Sequence, residues 1–184
     1  WREIKTYKNF AYIVTEGSGP GQGLQIVDLT NPLNPTLVNT YAVNFNTAHT
    51  LFIDEAIGRA YINGTNNNGS ASGMRILTLE PNPASPVEVG AWTPRYVHDM
   101  YAANGRAFLS EIYDGLQEVY DATDPANLVQ LGSWTTPNAF THNCWANPAQ
   151  NLLVTTDETT NPPGYLAVYD ISNLAAGAAL LGRY

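Results

Sequence analysis

The chain has few charged residues, one cysteine and no long apolar run. Eight Lys and Arg stand against 16 Asp and Glu, which gives a formal net charge of −8. Nucleic acids and anionic membranes attract basic surfaces, so we expect neither as a partner. One cysteine excludes an internal disulfide and any zinc site built from paired cysteines. Because no stretch of about 18 consecutive apolar residues occurs, we expect no membrane span.

The composition favours a well-packed domain with an unusual surface. Hydrophobic residues make up 44% of the chain and aromatic residues 11%, which is ample for a core. Charged residues reach only 13%, against about 25% in typical globular domains. Asn, Thr, Gly, Ser and Pro supply the polar surface in place of Lys and Glu. This composition is commoner among secreted proteins, so we expect an extracellular location.

The sequence repeats about every 46 residues along its 184 positions. The phrase Gly-Leu-Gln-Ile-Val-Asp at Gly23 returns in altered form at Gly73, Gly115 and Tyr165. An aromatic residue closes each repeat: Tyr41, Trp92, Trp134 and Tyr184. Each repeat holds four short runs rich in Val, Ile, Tyr and Thr, separated by Gly, Pro and Asn. Such runs predict strands joined by turns, which in the first repeat are 2–7, 10–15, 24–29 and 36–43.

Repeats of four strands and roughly 40 to 50 residues are typical of β-propeller blades. We therefore predict an all-β propeller of four-stranded antiparallel blades, with approximate bounds 1–46, 47–95, 96–139 and 140–184. Four blades form either a complete small propeller or part of a larger one. A β-sandwich is the alternative, but a sandwich gives no reason for one residue to recur at one place in each repeat.

Three histidines recur at the start of the first strand of their repeats. They are His49, His98 and His142, and Arg2 holds the same place in the first repeat. Because the first strand of a blade is the innermost, we expect these side chains around one mouth of the central channel. Imidazole nitrogens suit zinc, copper, nickel or iron, so the three histidines are candidate ligands of a divalent metal. With Arg2 they would instead suit an anion or a carboxylated ligand.

A purely structural role for the histidines stays open, in which each satisfies backbone groups at a blade junction. Alternation along the strand places four residues on the histidine side, one step deeper, where we expect burial: Ile4, Leu51, Met100 and Cys144. Cys144 is then a small buried hydrophobe, not a nucleophile. The intervening residues are polar: Glu3, Thr50, Asp99 and Asn143. We expect them to hydrogen-bond neighbouring blades or to orient the adjacent ring, with Glu3 and Asp99 included in the candidate ligand site.

Three acidic residues stand at the end of the third strand of their repeats: Asp28, Asp121 and Asp170. We interpret them as caps of the turn, since Asp bonds backbone two residues on. A further acidic segment, Asp157 and Glu158 followed by Thr159, Thr160 and Asn161, offers oxygen ligands for calcium. Its spacing matches no known calcium loop.

The blade phrases resemble the LVIVD-repeat proteins. The opening Trp1-Arg-Glu-Ile-Lys-Thr-Tyr and the dipeptides Ala48-His, Val97-His and Thr141-His resemble in particular the choice-of-anchor B surface proteins of bacteria. The resemblance extends over all four repeats. It implies a secreted propeller at the bacterial cell surface, with no established general activity, and members of the family usually have more than four blades.

Two functions follow from these patterns. The first is a non-catalytic extracellular scaffold that binds a protein or a surface glycan, or assembles with itself, helped by exposed aromatics at Trp92, Tyr113 and Trp134. The second is a metal-assisted hydrolase or oxidoreductase that uses the histidines. The first is favoured because the sequence contains no recognisable pair of nucleophile and base and no motif of a known enzyme class.

Overall fold

The computed structural model describes residues 2–71, 73–158 and 164–184, so Trp1 and three residues of the calcium candidate, Thr159, Thr160 and Asn161, lie outside the described part. The chain forms two compact units, Trp1–Tyr96 and Val97–Tyr184. Each unit contains two four-stranded antiparallel sheets with a meander order. The four sheets confirm the predicted all-β, propeller-like architecture of four blades.

The first unit contains the first and second sheets. The strands of the first sheet are β1 (Arg2–Tyr7), β2 (Phe10–Thr15), β3 (Leu24–Asp28) and β4 (Thr36–Tyr41). The strands of the second sheet are β5 (Thr50–Asp54), β6 (Arg59–Asn63), β9 (Met74–Thr78) and β10 (Val87–Trp92). A small hairpin of β7 (Asn66–Asn67) and β8 (Ser70–Ala71) is inserted between β6 and β9.

The second unit contains the third and fourth sheets. The strands of the third sheet are β11 (Asp99–Ala103), β12 (Arg106–Glu111), β13 (Leu116–Asp121) and β14 (Val129–Thr135). The strands of the fourth sheet are β15 (Thr141–Ala146), β16 (Leu152–Asp157), β17 (Leu166–Asp170) and β18 (Ala179–Arg183). One 3₁₀ turn, Leu174–Ala176, precedes β18. Nowhere in the described ranges is a helix long and apolar enough to cross a bilayer.

Alternating apolar residues predicted the strands of the first repeat closely. The bounds of β1 and β2 are the predicted ones, while β3 and β4 end one and two residues earlier than predicted. The cores of the two units explain the alternation, because one face of the inner strands of each sheet is buried. In the first unit Tyr12, Leu24 and Ile26 are fully buried in this way. In the second unit Phe108, Val119 and Leu153 are fully buried.

The three acidic turn residues have the predicted role. Asp28 Oδ1 accepts the backbone N–H of Thr30 at 2.7 Å. Asp121 accepts from Thr123 N–H at 2.9 Å, and Asp170 accepts from the backbone N–H two residues on, at 2.8 Å. Hydrogen bonds from the hydroxyl and then the N–H of the same turn residue lower the pKa of each carboxyl. Some of the acidic side chains therefore serve to cap turns.

A register shift occurs in each sheet between its third and fourth strands. It lies between Ile26 and Val27 in the first sheet and between Glu88 and Gly90 in the second. The third and fourth sheets repeat it at Val119/Tyr120 and Val168/Tyr169. Such β-bulges increase the local twist of the strand that carries them.

Two predictions about burial are wrong. Ile4 is 58% exposed, whereas Leu51, Met100 and Cys144 are buried as expected. The face of β1 that carries Ile4 is opposite to the one that carries Glu3, whose carboxylate reaches β5. Trp92 is 7% exposed and belongs to the core, so it offers no contact surface, while Tyr113 is 73% exposed.

Candidate metal centre

The histidines occupy an unusual backbone position at the start of the innermost strand. The backbone N–H of His98 donates to the carbonyl of Ser110 at 2.9 Å, although Ser110 already pairs with the next residue, Asp99. His49 has the same relation to Asn63, also at 2.9 Å. Two residues therefore face one, which is the arrangement of a β-bulge. Because a bulge changes the direction of the side chain that it carries, the imidazoles do not follow the alternation of side chains between the two faces of their strands.

His142 lies at a bulge within its own strand. Thr141 pairs with Asp157 and Asn143 pairs with Thr156, so the register shifts across His142. The shift lies at the start of β15, which pairs with the end of β16. The ring of His142 lies 4.6 Å, between centroids, from the ring of His98.

Glu158 completes a cluster with these two rings. One ligand atom from each of His98, His142 and Glu158 lies within 4.8 Å of the others. Nε2 of His142 and Oε2 of Glu158 are 3.7 Å apart, which is too long for a hydrogen bond. Two ligands bound tetrahedrally at about 2 Å from one zinc ion are about 3.3 Å apart. At 3.7 Å the two atoms are within the range of an ion pair and close to the spacing of two ligands of one cation.

A backbone carbonyl orients the imidazole of His98. Its Nδ1 lies 3.0 Å from the carbonyl oxygen of His142, and a carbonyl can only accept a hydrogen bond. Nδ1 therefore donates, which in the neutral ring leaves the lone pair on Nε2. Histidine ligands of metals are commonly held in this way, with the second ring nitrogen bonded to a carbonyl or carboxylate.

Burial differs across the cluster. His98 is 8% exposed, whereas the side chains of His142 and Glu158 are 37% and 60% exposed. One ligand atom is thus fixed in the protein, and the other two border solvent. A cation held there would keep access to water or to a small ligand.

The first unit holds the other predicted site residues. Nδ1 of His49 lies 2.8 Å from Oε1 of Glu16, and its ring lies 6.4 Å from that of Tyr96. Arg2 is exposed at the start of β1. His49 therefore has a carboxylate partner within its own unit.

Glu3 and Asp99 link neighbouring sheets, which confirms one of the two roles expected of them. Glu3 Oε2 accepts the backbone N–H of Leu51 at 2.6 Å, and its Oε1 accepts from Lys5. Asp99 Oδ2 accepts the side-chain amide of Asn143 at 2.5 Å. Each carboxylate thus joins two innermost strands of its own unit.

Cys144 is buried, as its place in the strand predicted. It is 2% exposed, its Sγ donates to the carbonyl of Phe108 at 3.4 Å, and burial raises the pKa of its thiol to about 12. A protonated, enclosed thiol is neither a nucleophile nor a metal ligand at neutral pH.

Comparison with protein families supports the repeat. Residues 2–43 match the family model of the LVIVD repeat. This segment, which forms the first sheet, is thus similar to an LVIVD repeat. No curated protein matches the chain.

Solved structures that resemble the chain share its fold at low identity. A protein from Lactobacillus plantarum has a TM-score of 0.74 and 13% identity over 97% of this chain and 53% of that one. The periplasmic gluconolactonase of Pseudomonas aeruginosa has a TM-score of 0.69 and 10% identity over 96% and 54% of the two chains. Hydrazine synthase of Kuenenia stuttgartiensis has a TM-score of 0.69 and 14% identity over 98% and 47%. The chain thus spans about half the length of these proteins, whose names differ too widely for the fold to indicate one activity.

The sequence pattern does not reveal the carboxylates that accompany the histidines of this chain. The sequence pattern places Glu158 in a calcium candidate only and gives Glu16 no role. Both directly follow the second strand of their sheet, after Thr15 and Asp157. Antiparallel pairing brings that strand end beside the start of the first strand, where the histidines lie. A glutamate directly after the second strand was the available signal.

Proposed function

We propose that the protein is a metal-binding β-propeller that holds one divalent transition metal through His98, His142 and Glu158. The spacing of 3.7 Å between His142 Nε2 and Glu158 Oε2 is the observation that carries this proposal. Two imidazoles and a carboxylate suit zinc and its neighbours in the first transition row.

Metal titration tests the proposal directly. Protein freed of metal with a chelator is titrated with Zn²⁺ and Co²⁺, with calorimetry and visible absorption as readouts. We expect one site per chain, and a loss of at least about 100-fold in affinity for His98→Ala and His142→Ala, because even partners of ligands contribute about 10- to 100-fold. His49→Ala is the matched control, since that imidazole is paired with Glu16 in the first unit and its removal should leave the affinity unchanged.

Two results would contradict the proposal. One is wild-type protein that takes up no metal at millimolar concentration. The other is a His142→Ala variant with wild-type affinity. A loss of affinity in His49→Ala equal to that in His98→Ala would instead favour a site built from all three histidines, as the sequence pattern first indicated.

We further propose that the propeller acts outside the cell as a binding or assembly scaffold. Support comes from the LVIVD repeat, the resemblance to bacterial surface proteins and the low charge of the chain. Exposed aromatic side chains such as Tyr113 would provide contact area for a protein or glycan. Protease treatment of intact producing cells tests the location: degradation of the protein supports it, and full protection argues against it.

A metal-assisted hydrolase is the second candidate. Its support is the ligand set, because two His and one Glu also hold catalytic zinc in metallohydrolases with a coordination position left for water. The similarity to a gluconolactonase makes lactones the first substrates to try. Lactone hydrolysis that requires added metal and disappears in His98→Ala, but not in His49→Ala, would favour this function over a scaffold.

A further inference from the structure

A chain of buried polar groups lies directly behind two of the proposed ligands. Oγ1 of Thr136 lies 2.7 Å from Oγ1 of Thr141 and also contacts Oδ1 of Asp157. Oδ2 of Asp157 accepts the backbone N–H of Asn138 at 2.9 Å. The three side chains are 3%, 0% and 5% exposed, so water does not substitute for these contacts.

The direction of the hydrogen bonds in this chain is determined by its carboxylate. A carboxylate accepts, so Thr136 donates its single hydroxyl proton to Asp157. Thr136 must then accept from Thr141. Each hydroxyl has one proton to donate, so one arrangement of protons satisfies the network. Such a fully satisfied buried network is rigid, and loss of one member leaves another unsatisfied.

The network joins the two strand ends that carry His142 and Glu158. Thr141 directly precedes His142, Asp157 directly precedes Glu158, and the two are paired across β15 and β16 immediately before the bulge. The backbone N–H of Glu158 also donates to the carbonyl of Phe140 at 3.0 Å. The distance between the two ligands is therefore fixed by the contacts of the residues beside them.

Simple strand packing does not account for a buried carboxylate here. The second strands of the first unit, β2 and β6, end in Thr15 and Asn63, which carry no charge. Those of the second unit, β12 and β16, end in buried Glu111 and Asp157. Burial of a carboxylate is costly unless hydrogen bonds offset it. A buried carboxylate at the end of the second strand therefore occurs in the unit that holds the ligand cluster.

We propose that Asp157, with Thr136, is the positioning residue of the metal centre, which sets the spacing of His142 and Glu158 without contacting the ion. This inference rests on the proposed metal site. Removal of the network should leave the ligand side chains present but wrongly spaced, and so weaken metal binding in folded protein.

The test compares Thr136→Val and Asp157→Asn with the matched control Thr155→Val. Thr155 is 1% exposed and lies in β16, the strand that contains Asp157. Its variant therefore makes the same hydroxyl-to-methyl change as Thr136→Val in an equally buried place. Readouts are Co²⁺ affinity, the visible spectrum of the Co²⁺ form and hydrogen exchange at the Asn138 amide, all measured well below the unfolding midpoint of each variant. We expect about tenfold weaker binding and an altered spectrum in the two network variants, faster exchange at Asn138, and no change in affinity or spectrum in Thr155→Val.

The outcomes separate this inference from the proposed function. Faster exchange at Asn138 together with wild-type affinity and spectrum would overturn the positioning role while the metal site stands. Equal losses in Thr155→Val and the network variants would also overturn it, because any buried change would then have the same effect. Wild-type protein without metal binding would overturn the proposed site and this inference with it.

Discussion

Substitution of Gly23 tests whether the glycine that precedes the third strand in three of the four sheets is required by geometry. Gly23 has φ of +93°, and a methyl group there would lie 2.3 Å from the carbonyl oxygen of Tyr41 and 2.8 Å from Cβ of Ala42. The first of these atoms belongs to the backbone and cannot move alone. Gly73 repeats the arrangement, with the carbonyl oxygen of Trp92 at 2.2 Å. Gly19 has φ of +117° with no atom within 4 Å, which makes it the matched control in the same loop.

The magnitude follows from two separable costs. A positive φ costs an alanine about 1–2 kcal/mol in either variant, offset by about 0.4–1 kcal/mol from a less flexible unfolded chain. Overpacking adds about 1–3 kcal/mol in Gly23→Ala alone. Urea unfolding followed by circular dichroism should therefore show Gly23→Ala less stable than Gly19→Ala by about 1–3 kcal/mol. Equal stability of the two variants would refute the steric argument.

Two further predictions concern titratable groups. Cys144 should not react with a disulfide reagent at pH 8 in native protein, because the thiol is buried and its pKa is raised to about 12; rapid labelling without unfolding would contradict this. The pKa values of Asp28, Asp121 and Asp170 are lowered in the fold by turn hydrogen bonds, so their stabilisation is complete above the ordinary Asp pKa of 3.8 and is lost as pH falls through the lowered values. Urea midpoints measured from pH 6 to pH 2 should fall in the acid range, and less steeply in Asp121→Asn; an identical acid slope in that variant would exclude a role for the turn.

Most of the features that the sequence predicts correctly depend on residues that are close together in the chain. The bounds of β1 and β2 follow from alternation and from the turns between them, which are properties of neighbouring residues. The limit is visible at Ile4. Alternation places Ile4 on a face of its strand, but what covers that face depends on other parts of the structure, and Ile4 is exposed.

The candidate site shows the same limit. The repeat identified His98 and His142 because each begins the same strand of its own blade. A glutamate directly after the second strand occurs in two of the four repeats, at Glu16 and Glu158, which is too few to stand out as a repeated motif. The proximity of Glu158 to His142 depends on the bulge at the start of β15. Contact between Thr136 and Asp157 joins the end of the third sheet to the fourth. Long-range contacts of this kind leave no periodic trace in a single sequence.

The bulge shared by all four sheets has a consequence for solubility. In each sheet the fourth strand is an outer edge, with unpaired backbone groups on one side. Several of these strands expose apolar side chains, among them Leu37, Val129 and Leu180 at 59%, 61% and 51%. A flat edge of that composition would recruit strands from other molecules, but a bulged and twisted edge offers no regular ladder. We therefore expect the repeated bulge to limit edge-to-edge pairing of these apolar strands.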